Sequence, residues 1–217
     1  MTKWIRIVGV FRPGLKFLVE ATMKKEVVTA ILLLALGAPG TVAAQARSDQ
    51  KPTFASVYDH LVTGMAKEMV DAAQAMPDDK FNFAPPEKYG DFKGVRTFAD
   101  QVKHMAGANY MFGAAILGEK PPAEMGGENG PSKLTSKAEI VKYLNDSFAY
   151  LQKALNSITE SNVLGEVQSP FGSRKTTRLA LATIALSHPN DHYGQMVEYL
   201  RMNGIVPPAS RPNAGSM

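Results

Sequence analysis

The stretch "ALSHPNDHYGQMVEYLRMNG", residues 185–204, decides how this chain reads. Its apolar residues recur at close to helical spacing, and two of the chain's four histidines, His188 and His192, stand one turn apart within it. At about 100° per residue, Leu181, Ile184, Gln195, Tyr199 and Met202 fall within roughly 40° of His188, and so does His192. Both imidazoles are therefore expected at the centre of a buried face. Two rings offset by one turn converge on a single point, the geometry by which HExxH helices hold zinc.

Working outward, the helical pattern runs from Thr176 to about Asn203, closed by Gly204 and "VPPAS". A first helix is expected over 53–76, with Phe54, Tyr58, Leu61, Met65, Met69 and Met76 near 3.6 spacing. A second covers 95–118, with Thr97 able to cap, Asp100 three residues on favouring the positive N-terminus, and Gly118 ending it. A third covers 136–158: Ser136 and Glu139 have capping-box spacing, and Ile140, Leu144, Phe148, Leu151, Leu155 and Ile158 repeat. Pro, Gly and Asp interrupt the chain at 79–94 and 119–131, whereas 159–175 reads as a short ribbon or irregular loop. Four amphipathic helices without a convincing strand predict an all-α fold, an antiparallel four-helix bundle with long connecting loops over residues 53–208. Residues 47–52 read as a linker and 209–217 as a flexible tail.

On the second helix His104 shares its stripe with Thr97, Gln101, Ala108, Met111 and Ala115, mostly small residues that leave room beside an imidazole. A metal with an open coordination position needs such room. His60 instead keeps company with Thr53, Ser56, Gly64, Lys67, Asp71 and Gln74 and reads as solvated. Three buried neutral histidines, each satisfied by its own hydrogen bond, are the plainer alternative. Every such ring costs about 1–3 kcal/mol unless it finds a partner, and one divalent ion satisfies all three together. Gln195 shares the histidine face and could orient a ligand, and Asp191 and Asn109 are weaker candidates for supporting polar groups. Pro189 lacks the N–H that would reach Ala185 and biases His188 away from helical backbone, so a kink or bulge is expected there.

Charge excludes one class of partner. Of 24 basic and 20 acidic residues, residues 1–46 hold six and two, leaving 18 of each in the remainder. The net charge of +4 thus belongs to the leader, and no electrostatic footprint for nucleic acid survives. The leader runs "MKKE" from Met23, an apolar "VVTAILLLAL" from Val27, a Gly/Pro break and "AAQA" ending at Ala46. That order is a secretory signal peptide, with Met23 a candidate start, and predicts an exported, periplasmic or secreted protein. The alternative is an uncleaved membrane anchor, since Val27 to Ala46 carries no charge over about one bilayer span. The chain has no cysteine, which excludes disulfides, thiol nucleophiles and thiolate ligands.

These residues resemble the DinB/YfiT-like proteins, four-helix bundles regarded as metal-dependent enzymes. The resemblance covers most of 53–208 and rests on "FNFAPPEKYGDFKGVRTFADQVKHMAGANYMF" and "LSHPNDHYGQMVEYLRMNGIVPP". It implies that His104, His188 and His192 hold a divalent ion (zinc, nickel, manganese or iron), with the remaining positions open to water or a small-molecule substrate. Many relatives have Arg where this chain has Tyr193, and Pro189 also departs from the pattern. Some relatives are thiol-dependent S-transferases or isomerases, in which the metal stabilises a thiolate nucleophile; the same Lewis acidity acting on water supports hydrolysis. Export would separate the chain from cytosolic thiols, which counts against the thiol-dependent branch. The other class of function is a non-catalytic secreted bundle that binds a metal or small ligand, and a homodimer through helix faces is compatible with either. A structural zinc site normally supplies a fourth protein ligand, and no fourth residue has a comparable claim.

Overall fold

The computed structural model describes residues 51–212. The expected leader over 1–46, most of the linker and the end of the tail lie outside the described residues. Helix α1 spans Phe54–Ala75, α2 Phe98–Leu117, α3 Lys137–Asn156 and α4 Arg178–Met202. Their starts follow from local chemistry. Thr53 and Ser56 form a reciprocal capping box ahead of α1, and Ser136 and Glu139 form another ahead of α3. Thr97 caps α2 by accepting from the Asp100 N–H at 3.2 Å. Two further free donors of that first turn are taken by the preceding loop: the Phe98 and Ala99 N–H groups donate to the Phe83 and Phe81 carbonyls, both at 2.8 Å. Helix α2 stops at Gly118, whose φ of 75° lies in the left-handed region that glycine enters at little cost.

Between α3 and α4 the chain forms a two-stranded antiparallel ribbon, β1 Glu166–Gln168 and β2 Lys175–Thr177, with Glu166 opposite Thr177. It is the short ribbon, one of the two readings expected over 159–175, and it runs two residues further than expected. The ribbon takes Thr176 and Thr177, so α4 starts at Arg178 with Thr177 as its cap. Strands of three residues carry too few alternations to register as a period.

Helix α3 packs against α1 and α2, and α4 packs against the same two helices. Helix α2 therefore has α4 along one flank, which brings His104 opposite the two histidines of α4. Phe98, Met105, Phe112 and Ile116 of α2, Ile140, Leu144, Leu151 and Leu155 of α3 and Met69 of α1 are fully buried in one hydrophobic core. Each such side chain contributes about 1.5–3 kcal/mol through apolar burial. The stripe expected on α3 is buried throughout.

On α1 the inward face is Val62, Met65, Met69, Ala72 and Ala73. Phe54 and Leu61, expected inside, are 38% and 49% exposed, and with Val57 they line an open groove of about 930 Å³ beside Thr183, Leu186 and Asn190 of α4. His60 lines the same groove and is exposed, as expected of a solvated histidine. Helix α4 is continuous through Pro189, without the bulge expected there. The proline leaves the Ala185 carbonyl without its usual donor, while the Asn190 side-chain amide donates to the Leu186 carbonyl at 3.0 Å, one residue on. Among the described residues, no helix is long and apolar enough to cross a membrane.

Candidate metal centre

The buried stripe of α4 consists of Leu181, Ala182, Ala185, Pro189, His192, Met196, Tyr199 and Leu200. At about 100° per residue its centre lies roughly 30° from His192 but about 70° from His188. His192 is 6% exposed, and His188 sits half-buried at the stripe's edge. Both rings at the centre of the face was therefore too simple: Ile184 and Met202, expected beside them, are each 37% exposed. His104 enters from α2 and is buried. The start of α2 is held to α4 by the Tyr199 hydroxyl, which donates to the Arg96 carbonyl at 3.0 Å.

The three rings meet. Their centroids are 4.6 Å apart for His188 and His192, 4.8 Å for His104 and His192, and 5.2 Å for His104 and His188. One ring nitrogen of each lies within 4.8 Å of the others, a group that could hold a metal ion.

Hydrogen bonds to oxygen fix which nitrogen two of the rings offer. The Nδ1–H of His104 donates to the Glu128 carbonyl at 2.9 Å. The Nδ1–H of His192 donates to Gln101 Oε1 at 2.6 Å. In a neutral imidazole the other nitrogen then carries the lone pair, so both rings turn a bare Nε2 toward the cluster. His188 Nε2 stands 3.1 Å from His192 Nε2. In a hydrogen bond between them the proton sits on His188, which leaves His188 Nδ1 bare, and that atom is buried without a hydrogen-bond partner. Nitrogens about 2.0–2.1 Å from a tetrahedral zinc lie roughly 3.3 Å apart, close to the 3.1 Å between His188 Nε2 and His192 Nε2, and the three ligand atoms together lie within 4.8 Å of one another. The residues present therefore fit a divalent ion held by three imidazoles.

Electrostatics agree with neutral ligands. Burial pushes all three histidines below their ordinary 6.5, and the neighbouring rings push His188 and His192 further, His192 to about 4. Asp191 acts in the opposite sense on His188 and His192, but more weakly.

The loop between α2 and α3 supplies the outer wall. Gly126, Gly127 and Gly130 all have positive φ, and a Cβ on Gly107 of α2 would lie 2.8 Å from the Gly127 carbonyl. Glycine at 107 lets the loop seat against the helix, which aims the Glu128 carbonyl at His104. Arg96 holds the loop there through Glu128 Oε1 and Asn129 Oδ1, both at 3.2 Å. On the remaining side Phe112 packs edge-on against His188, and Phe171 at the ribbon's tip packs on Phe112.

Comparison with known proteins places this architecture. The model of the DinB superfamily matches residues 61–196. The chain belongs to the DinB superfamily. Its fold is similar to that of a DinB-like protein from Bacillus subtilis, at 20% identity and a TM-score of 0.51, covering 68% of this chain and 92% of that one. A DinB-like protein from Bacillus cereus ATCC 10987 is similar at 15% identity and a TM-score of 0.57, covering 71% and 95%. No curated protein matches the chain.

Of the supporting groups expected from sequence, Gln195 and Asp191 connect to the centre and Asn109 does not. Gln101 Nε2 donates to Gln195 Oε1 at 2.7 Å, and Gln195 Nε2 donates to Asp191 Oδ2 at 3.1 Å. Asn109 lies five residues, about 140°, beyond His104 and donates to Ser147 Oγ of α3 at 3.1 Å. Gln101, expected only as a neighbour on the stripe of His104, stands one turn before that histidine, and that position is the signal the sequence carries. The Glu128 carbonyl had none, because a backbone acceptor does not depend on residue type.

Proposed function

We propose that this DinB-superfamily protein binds one divalent metal ion through His104, His188 and His192 and is an exported metal-dependent enzyme acting on a small molecule. The four helices are read as the antiparallel bundle characteristic of the resemblance, and the order of residues 23–46 supports export. The observation that carries the proposal is the convergence of three neutral imidazoles, two with Nε2 freed by Nδ1 hydrogen bonds to oxygen. Among the described residues no cysteine, aspartate, glutamate or fourth histidine joins that group, which favours an open coordination position. Bound there, a divalent ion supplies Lewis acidity, polarising a substrate carbonyl or favouring the thiolate form of a thiol. The chain's own residues orient the ligands and exclude water from the inner side: Gln101 and the Glu128 carbonyl hold two rings, while Phe112 closes the flank of His188. Hydrolase-type chemistry is favoured over thiol transfer, because export removes the chain from cytosolic thiols.

The test compares metal-stripped and zinc-reconstituted protein on a panel of small esters, amides and thiol–acceptor pairs. Turnover that requires zinc and disappears in His192→Ala supports an enzyme. Equal rates with and without zinc, or none on any substrate despite stoichiometric metal, favour the non-catalytic binding bundle. Export is checked by sequencing the mature N-terminus, expected near Arg47.

A further inference from the structure

The metal ligands account for the three histidines but not for the line of polar groups behind one of them. Gln101 is 2% exposed on α2 and faces His192 across the helix interface, while Gln195 and Asp191 lie on α4 and Asp191 is exposed. We propose that Gln101, Gln195 and Asp191 form a one-way amide relay that holds His192 in its Nδ1–H tautomer and so presents the Nε2 lone pair to a cation. The cation half of the proposal rests on the metal reading above; the tautomer half does not.

The direction follows from what each group can do. A carboxylate only accepts, so Gln195 must turn its NH2 toward Asp191, at 3.1 Å. Its Oε1 is then left to accept from Gln101 Nε2 at 2.7 Å. Gln101 in turn has only its own Oε1 to offer His192, at 2.6 Å, and an oxygen acceptor there requires the proton on Nδ1. Turning Gln101 over would set two amide oxygens against each other unless Gln195 turned as well. Turning Gln195 would set its oxygen against the carboxylate. A surface charge thus sets the tautomer of a buried ring three hydrogen bonds away. Gln101 and Gln195 are positioning residues, acting on the cation only through His192.

The tautomer of His192 is read by two-bond nitrogen–proton NMR correlations on isotopically labelled, metal-stripped protein, with zinc affinity measured separately by chelator competition. Gln195→Glu offers Gln101 an acceptor only and Gln195→Lys a donor only, so the pair fixes the relay in opposite directions. Wild type and Gln195→Glu should show Nδ1–H at His192. Gln195→Lys should shift it to Nε2–H and bind zinc about 10–100-fold more weakly than wild type. Should Gln195→Lys fail to fold, Asp191→Lys at the exposed end makes the same inversion. One tautomer shared by the Glu and Lys variants, or Nε2–H in the wild type, overturns the relay. A tautomer that follows the relay in a protein taking up no zinc supports the relay and overturns the metal reading.

Discussion

Two glycines lie inside the helices that carry the histidines, and replacing each with alanine should have opposite effects. Gly194 of α4 is exposed, and a Cβ there meets nothing within 4 Å. Gly194→Ala should recover the backbone entropy that a helical glycine costs, about 0.5–1 kcal/mol. At about 2–4 °C per kcal/mol for a chain of this size, the unfolding midpoint should rise by roughly 1–4 °C. Gly107 of α2 would gain the same helix propensity, but its Cβ would stand 2.8 Å from the Gly127 carbonyl and 3.3 Å from the Glu128 carbonyl. Ordinary contact begins near 3.4 Å, so the loop must retreat by about 0.6 Å. Overpacking of this kind costs about 1–3 kcal/mol, which outweighs the propensity gain and leaves a net loss of roughly 0.5–2 kcal/mol. The same retreat stretches the His104 bond to the Glu128 carbonyl from 2.9 Å toward 3.5 Å, beyond useful hydrogen-bonding range. Gly107→Ala should therefore unfold at lower temperature than wild type and bind zinc about 10-fold or more weakly, because His104 loses the group that orients it. Differential scanning calorimetry of the metal-stripped proteins and chelator competition for zinc check both halves. A Gly107→Ala protein as stabilised as Gly194→Ala, with unchanged zinc affinity, would refute the seating of this loop against α2.

Asn109→Ala should lower stability by about 1–3 kcal/mol, since Asn109 and Ser147 are a buried pair, yet leave zinc affinity unchanged; any loss of zinc affinity would place Asn109 in the centre after all. Thr97→Ala should cost about 0.5–2 kcal/mol in urea denaturation by removing the cap of α2. In metal-stripped protein the unfolded chain protonates its histidines near 6.5, whereas the fold holds His192 to about 4 and lowers the other two. Stability should accordingly be full above pH 6.5 and fall as pH drops toward 4. Urea midpoints between pH 7.5 and 4.5 measure this slope, which His192→Leu should flatten.

Much of the fold was legible because helices write their period and ends into sequence. Ser136 with Glu139, and the buried repeat from Ile140 to Leu155, appear in α3 as read. The first half of α1 misled for the opposite reason: Phe54 and Leu61 keep the period but border a groove, and periodicity gives a face without saying what covers it. Helical phase brought His188 and His192 together, and placing His188 at the edge needed the positions of Ala185, Pro189 and Met196 as well. At Pro189 the helix runs on without a bulge, because one missing hydrogen bond in a packed helix is tolerated when the rest of the turn is held. The relay through Gln101 and the carbonyl of Glu128 escaped because each joins elements distant in sequence. Such contacts follow from how helices and loops are packed, which no local pattern encodes.

The central claim is a single cation held by three histidines from two helices. The measurement that tests it most directly is elemental analysis of metal-stripped protein after reconstitution with zinc and gel filtration, on wild type and on His104→Ala, His188→Ala and His192→Ala. The account predicts about one zinc per chain in the wild type and substoichiometric zinc in all three variants. Wild type that retains no zinc, or three variants that each retain one per chain, would contradict it.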